Sequence, residues 1–293
     1  MGGKKNLFQI NKKNQKSSAT VYLHGAHVTS WTSPSGKELL FVSKDAIFKP
    51  PKAIRGGIPL CFPQFGDMGP LKQQHGFARN AAFELEPSSS SSPDQVTLLL
   101  KHDGKSHDDF PHPFELRVTV RVADEGRQLV QSLAVKNTGE TSFTFTTALH
   151  TYFRVSDISQ ARVEGIKGCK YLDSLDGRKE KQEEEDAVKF QEEVDRIYAA
   201  VPSDGAIRIV DGDASSSLSP GHSISLETVN LPDAVVWNPW ISKAKGMADF
   251  GDDEFRQMLC VEPAVAASGA VEVAAGGGEH VCVQKLRLVA GRI

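Results

Sequence analysis

Phe114-Glu115-Leu116-Arg117-Val118-Thr119-Val120-Arg121-Val122 alternates apolar and polar side chains without a break. Successive side chains of a β-strand point to opposite faces, so this period of two writes one buried face and one solvated face. The polar turn Ala123-Asp124-Glu125-Gly126-Arg127 follows, and a second β-like run over 128–135 completes a predicted antiparallel hairpin. Outward from this hairpin, short β-like runs recur at 96–100, 143–149, 206–210, 223–229, 234–237, 257–262 and 281–289, with Gly, Pro, Asp and Ser clusters between them. Many short strands with turn signals between them predict an all-β fold, a large antiparallel β-sandwich. No period of 20 to 50 residues repeats, which argues against a propeller or solenoid.

A length of 293 residues leaves room for two domains, but sandwiches reach this size as one unit, so a single domain over 1–293 is expected. A hydrophobic share of 39% and a charged share of 24% suit a globular protein with a core. No apolar run approaches the roughly 20 residues that span a bilayer, so no membrane association is expected. The net charge of −3 offers no global attraction for nucleic acid; a small anion would be held by a local arginine cluster. Cys61, Cys169, Cys260 and Cys282 are widely spaced, form no CxxC and follow no secretory signal, which predicts reduced thiols and a cytoplasmic location. The start, Met1-Gly2-Gly3-Lys4-Lys5-Asn6, has Asn6 where a myristoylation signal needs Ser or Thr. A monomer is expected.

Two stretches break the strand pattern. Residues 88–92 are serine throughout and predict a low-complexity surface loop. Residues 178–193 carry seven acidic side chains, from Glu180 to Glu193, and predict a solvated acidic segment.

Several segments carry chemistry-bearing side chains in shaped contexts. In Arg55-Gly56-Gly57-Ile58-Pro59-Leu60-Cys61-Phe62-Pro63-Gln64-Phe65-Gly66, glycines permit positive φ or a close approach while prolines stiffen the path that carries Arg55. Gln73-Gln74-His75-Gly76-Phe77-Ala78-Arg79-Asn80 supplies a second arginine, and two guanidinium forks from neighbouring loops suit a phosphate or carboxylate. Taken alone, each segment also reads as a structural turn, and His75 beside Gly76 as a hydrogen-bonded structural histidine. Trp237-Asn238-Pro239-Trp240 offers indole faces for a sugar ring or, equally, for a core. In Val194-Asp195-Arg196-Ile197-Tyr198 the carboxylate either pairs with its neighbouring arginine or receives ligand hydroxyls.

His150, in Leu149-His150-Thr151-Tyr152-Phe153, and Glu262, in Leu259-Cys260-Val261-Glu262-Pro263, are polar residues inside strand-like stretches that otherwise favour burial. Their ordinary pKa values, about 6.5 and about 4.3, make them an acid and a base at neutral pH if the fold brings them together. There is no GxSxG elbow, P-loop, HExxH or paired CxxC. His107 and His112 lack recognised ligand spacing and sit in a proline-rich lead-in to a strand, so no metal site is expected.

Taken together and in order, RGGIPLCFPQFG (55–66), QHGFARN (74–80), LHTYF (149–153), VDRIY (194–198), VVWNPW (235–240) and MLCVEPA (258–264) resemble the glucose-6-phosphate 1-epimerases, the hexose-6-phosphate mutarotase branch of the aldose 1-epimerase family. The resemblance covers about residues 22–288. It implies a galactose mutarotase-like sandwich and interconversion of the α and β anomers of a hexose 6-phosphate, with no cofactor. It also implies that His150 is the general acid and Glu262 the general base, on opposite sides of a sugar ring. Arg55 and Arg79 resemble the phosphate-binding arginines, Gln74 a sugar or phosphate contact and Asp195 a ligand to ring hydroxyls. His75, Trp237 and Asn238 are further candidate contacts. Phe110 departs from the family pattern, standing where a Trp is frequent, and residues 88–92 resemble a loop embellishment. Competing readings are an aldose 1-epimerase for unphosphorylated sugars, a non-catalytic carbohydrate-binding sandwich built on Trp237 and Trp240, and a scaffold with a degenerate site.

Overall fold

The computed structural model describes residues 7–11, 17–86, 93–212 and 222–289; the first six residues and the serine tract at 88–92 lie outside them. The alternating run 114–122 forms the centre of the strand Pro113–Ala123, which pairs antiparallel with Gln128–Asn137 across the predicted turn. These two strands belong to a nine-stranded sheet that continues through Glu279–Val289, His222–Val229 and Asp204–Asp211 on one side and Gln95–Asp103 on the other. A second sheet of eight strands runs from Lys179–Gln182 through Lys170–Asp173, Val194–Tyr198, Asp233–Asn238 and Met258–Val265 to Thr147–Leu149 and Leu60–Cys61, with Tyr152–Arg154 also pairing Met258–Val265. A three-stranded meander, Leu7–Asn11, Ser18–Tyr22 and His27–Thr32, adds the buried Trp31.

One apolar core joins the inner faces of the two large sheets: Leu116, Val118, Leu133, Ile209 and Leu226 from the first meet Val194, Tyr198, Val236, Leu259 and Val261 from the second. That is the expected antiparallel sandwich, with each strand's alternation setting which side chains enter the core. Among the described residues the only α-helix is the short Trp240–Lys245, and no helix is long and apolar enough to cross a membrane.

Two sequence expectations change. The run 143–149 is not one strand: Phe143–Phe145 pairs with Val271–Val273, and Thr147–Leu149 joins the eight-stranded sheet. Thr146 makes the break, because its N–H donates to the Pro63 carbonyl and its hydroxyl accepts from the Phe65 N–H. The acidic run is largely exposed, as expected, but it contributes the edge strands Lys179–Gln182 and Ala187–Lys189 and one buried carboxylate. Glu183 accepts hydrogen bonds from the Tyr198 hydroxyl at 2.6 Å and from Arg196 at 2.8 Å, which compensate the burial of its charge.

Candidate active site

The site lies on the face of the eight-stranded sheet turned away from the core. Along Met258–Val265, Leu259, Val261 and Val265 enter the core, which leaves Met258, Cys260, Glu262 and Ala264 on the other face. Along Asp233–Asn238 the same alternation turns Val235 and Trp237 outward, and along Val194–Tyr198 it turns Asp195 and Ile197 outward. These rows floor a cavity of about 330 Å³, within the usual size range of a small-molecule site.

Strand register brings the histidine to the glutamate. Ala148 opposes Ala264, and Tyr152 opposes Cys260, so the ladder position between them sets His150 against Glu262. The regular ladder is interrupted there: the His150 N–H donates to the Pro59 carbonyl at 3.0 Å and the Tyr152 N–H to the Gly57 carbonyl at 2.9 Å. The 55–66 loop is thereby stitched to the His150 segment. On its other side the loop packs against His27–Thr32, which Gly57 permits: it stands at φ 63°, and a Cβ there would lie 2.2 Å from the Val28 carbonyl oxygen.

His150 Nδ1 lies 3.1 Å from Glu262 Oε1, with the histidine side chain 10% and the glutamate side chain 2% exposed. The contact is close enough for an ion pair but is not aligned as a hydrogen bond, and His150 Nδ1 and Glu262 Oε2 have no partner among the described residues. Buried polar atoms without partners are costly, and are characteristic of groups that meet a ligand. Burial pushes the His150 imidazole well below its ordinary value, aided by His75, Arg79 and Arg55. It pushes the Glu262 carboxyl well up, and the charge of Asp195 adds to that shift while Arg79 opposes it. The free pair therefore favours neutral forms, with its transferable proton on Glu262. The His150 imidazole and the Glu262 carboxyl are in contact on one wall of the cavity.

Arg55 and Arg79 line the same cavity. Arg55 donates to Asp249 at 3.2 Å and to the Tyr152 hydroxyl at 3.3 Å, and the Tyr152 ring stacks on His150 with centroids 4.7 Å apart. Arg79 donates to the backbone carbonyl of Gln74 at 3.0 Å and keeps a buried Nε without a partner among the described residues. Gln74 also lines the cavity. His75 takes both sequence readings at once: its Nδ1 accepts from the Gly66 N–H at 3.1 Å, and the ring lines the cavity edge-on to His150. Burial lowers its pKa to about 3, so it is a neutral imidazole whose proton sits on Nε2. Asp195 lines the cavity with Lys243 3.6 Å away; burial raises its carboxyl, while Ser174 and Lys243 oppose the shift.

Trp237 borders the cavity, but Asn238 does not. Asn238 is fully buried, donates to the Phe255 and Met258 carbonyls and accepts from the Trp240 N–H, so its amide is spent on holding the 238–258 segment. Trp240 packs on Phe255 instead of pairing with Trp237 as a stacking platform. The alternative of an Asp195–Arg196 ion pair also fails, because adjacent strand residues face opposite ways and Arg196 pairs with Glu183. Sequence reasoning missed Lys243, Ser174 and the Arg178–Asp67 ion pair at the cavity, and Tyr152 stacked on His150 and bonded to Arg55. Tyr152 was detectable, being two residues from His150 and so on the same face. Arg178 was hidden at the head of the acidic run.

His150, Cys260 and Glu262 place ligating atoms within 4.8 Å of one another, the metal-ligand grouping found among the described residues. His107 is stacked on Phe77 and His112 precedes the strand at Pro113, as the lead-in reading expected.

Fold and site define a β-sandwich with a cavity of about 330 Å³, a buried histidine–glutamate pair and two arginines beside it. The chain belongs to the aldose 1-epimerase family, whose model matches residues 7–279. It is an epimerase. A protein of Cenchrus ciliaris carrying the name "Putative glucose-6-phosphate 1-epimerase" is 46% identical over 253 residues, covering 84% of this chain and 74% of its own length. A protein of the same name from Escherichia coli K12 is 34% identical over 255 residues, covering 85% and 80%. The crystal structure of a "putative mutarotase" from Salmonella typhimurium superposes with a TM-score of 0.79 at 28% identity, covering 98% of this chain and 90% of that one.

Proposed function

We propose that this protein interconverts the α and β anomers of glucose 6-phosphate or a close hexose 6-phosphate, with Glu262 as base and His150 as acid. The observation that carries the roles is the 3.1 Å contact between His150 and Glu262, each with an unpartnered buried polar atom, in a cavity shared with Arg55 and Arg79. The hydroxyl and the ring oxygen of a hemiacetal are bonded to the same carbon, so an acid and a base serving them must be neighbours. Glu262 takes the proton of the C1 hydroxyl as His150 gives one to the ring oxygen. The bond from C1 to the ring oxygen breaks and a free aldehyde forms. Rotation about the C1–C2 bond presents the other carbonyl face, and the reverse transfers close the ring.

The charges around the pair set the sugar's orientation. The ring oxygen neighbours the carbon that bears the phosphate arm, and His150 feels both Arg55 and Arg79 whereas Glu262 feels Arg79 alone of the two. The C1 hydroxyl neighbours the C2 hydroxyl, and Glu262 is the group that feels Asp195. A dianionic phosphate seated on the arginines offsets two cations that depress His150 and only one, Arg79, that lowers Glu262, so on balance it favours moving the pair's proton from Glu262 to His150. Substrate thus prepares the acid and base forms that ring opening needs, and phosphate binding energy is used at the reacting end.

The test is NMR magnetisation exchange between the anomers of glucose 6-phosphate, with glucose and galactose as controls. Exchange enhanced for the phosphosugar supports the reading. Enhancement confined to free sugars would move the activity to unphosphorylated aldoses, and no enhancement would make the cavity a binding site alone.

A further inference from the structure

We propose that His150, Cys260 and Glu262 form a capture site for a thiophilic divalent cation of the Zn²⁺ type, and that its occupancy switches the epimerase off. The three ligating atoms lie within 4.8 Å of one another and all three residues are buried. Cys260 is a free thiol two residues before Glu262 on the same strand face, and it opposes Tyr152 across the ladder just as Glu262 opposes His150. Glu262 Oε2 supplies the second observation: a carboxylate oxygen of a side chain only 2% exposed, without a hydrogen-bond partner among the described residues and aimed into the group that holds the thiol, while His150 Nδ1 has only its 3.1 Å contact with Glu262 Oε1.

The donor set selects the cation. Thiolate, imidazole and carboxylate are the three ligand types that Zn²⁺ takes, whereas Mg²⁺ and Ca²⁺ need oxygen ligands. Bond lengths of about 2.0–2.3 Å at a tetrahedral angle separate ligand atoms by roughly 3.3–3.6 Å. The His150–Glu262 contact, 3.1 Å, is already near that value, so the thiol has to draw in by about 1 Å. A thiol and a carboxyl ligate as anions, and a dication supplies the charge against which both ionise. Binding therefore releases protons and strengthens as pH rises. Arg79 opposes a cation; Arg55 is offset by Asp249, and Asp195 acts in favour.

His150 and Glu262 line the cavity and Cys260 lies behind them, so the cation enters by the substrate's route and leaves a coordination position toward it. A coordinated Glu262 carboxylate no longer accepts the hydroxyl proton. The inhibition rests on the acid–base roles proposed above; the binding does not.

The experiment uses the full chain, reduced and freed of metal with a chelator, titrated anaerobically with Zn²⁺ against a chromophoric competitor, and separately with Co²⁺. One cation per chain is expected, with a thiolate-to-Co²⁺ charge-transfer band. Anomer exchange should fall about ten-fold or more at saturation and recover with chelator, and glucose 6-phosphate should compete with the cation. Cys260→Ser and Cys260→Ala should exchange anomers at close to the wild-type rate without metal, lose the band and bind Zn²⁺ roughly 100-fold more weakly. A band that persists in both Cys260 variants, or vanishes instead in Cys61→Ser, would overturn the site. A thiolate band with unimpaired exchange would overturn the switch and, with it, the catalytic roles of the pair.

Discussion

His150 faces Glu262 because the ladder that carries them stays in register on both sides of a break: Ala148 opposes Ala264 before it, and Tyr152 opposes Cys260 after it. The interruption frees the histidine's backbone to be held by Pro59, while the flanking pairs keep its ring against the carboxyl at 3.1 Å. The geometry of the His150–Glu262 pair is a property of strand pairing, which is more rigid than a loop.

Glu262→Gln keeps the shape of the side chain and removes the base. Exchange between the anomers of glucose 6-phosphate should fall by roughly 10²–10⁴ in kcat, the usual contribution of a positioned proton acceptor. Wild-type exchange in this variant would exclude Glu262 as the base. His150→Gln should cost a similar factor, and because the two residues act as a unit, the double variant should lose little more than either single one.

The parts of this molecule that were legible in the sequence are those that depend on period alone. The run from Phe114 to Val122 showed its buried face, and His150 and Glu262 showed as polar residues where strands want apolar ones. Strands of three to five residues, such as Arg162–Glu164 and Val194–Tyr198, are too short to write a period. Register was not legible, so neither was the contact between His150 and Glu262. Asn238 looked like a ligand group because its flanking tryptophans suggested sugar stacking, whereas its amide is consumed by carbonyls at Phe255 and Met258, distant in sequence.

Arg55→Ala and Arg79→Ala should each reduce kcat/KM for glucose 6-phosphate by about 10- to 100-fold or more, as loss of a charge-assisted contact with the phosphate demands. Exchange of free glucose should change much less. Equal losses on the two sugars would refute the phosphate handle. Arg55 also donates to the Tyr152 hydroxyl, so Tyr152→Phe separates the two functions of this guanidinium: it keeps the ring stacked on His150 and removes only the acceptor.

Asn238→Ala removes three hydrogen bonds from a buried site and leaves two carbonyls and one N–H without that partner. Each unsatisfied buried group costs about 1–3 kcal/mol, so the urea midpoint should fall clearly. Turnover per folded molecule should stay near wild type. A large rise in KM with unchanged stability would return Asn238 to the substrate.

His27 gives the fold a pH dependence of defined sign. Its ring is fully buried and donates to the Gly56 carbonyl at 2.7 Å, and burial lowers its pKa from 6.5 to about 4. Above 6.5 the imidazole is neutral in both states and costs nothing. Between 6.5 and about 4 the unfolded chain takes up a proton that the folded chain does not, so stability falls as pH falls. The loss levels off below about 4 at roughly 3 kcal/mol. Denaturation of the wild type against His27→Gln at pH 7 and pH 5 should show this excess slope in the wild type alone.

The pH dependence of turnover should distinguish phosphosugar from free sugar, because only the former brings a dianion to the arginines. With Glu262 raised and His150 lowered by burial, the productive form, base ionised and acid protonated, is a minor state of the free enzyme. The kcat profile is bell-shaped, and its two limbs report the loss of the first and the second proton from the coupled pair as a unit. Bound phosphate offsets Arg55 and Arg79, two of the causes that depress His150, so it must raise that group in the complex. The basic limb for glucose 6-phosphate should therefore lie at higher pH than the basic limb for glucose. In Arg79→Ala the imidazole no longer faces that cation even when the sugar is free, and the two limbs should draw together. Coincident basic limbs in the wild type would mean that phosphate binding does not reach the acid, and the handle would then act through position alone.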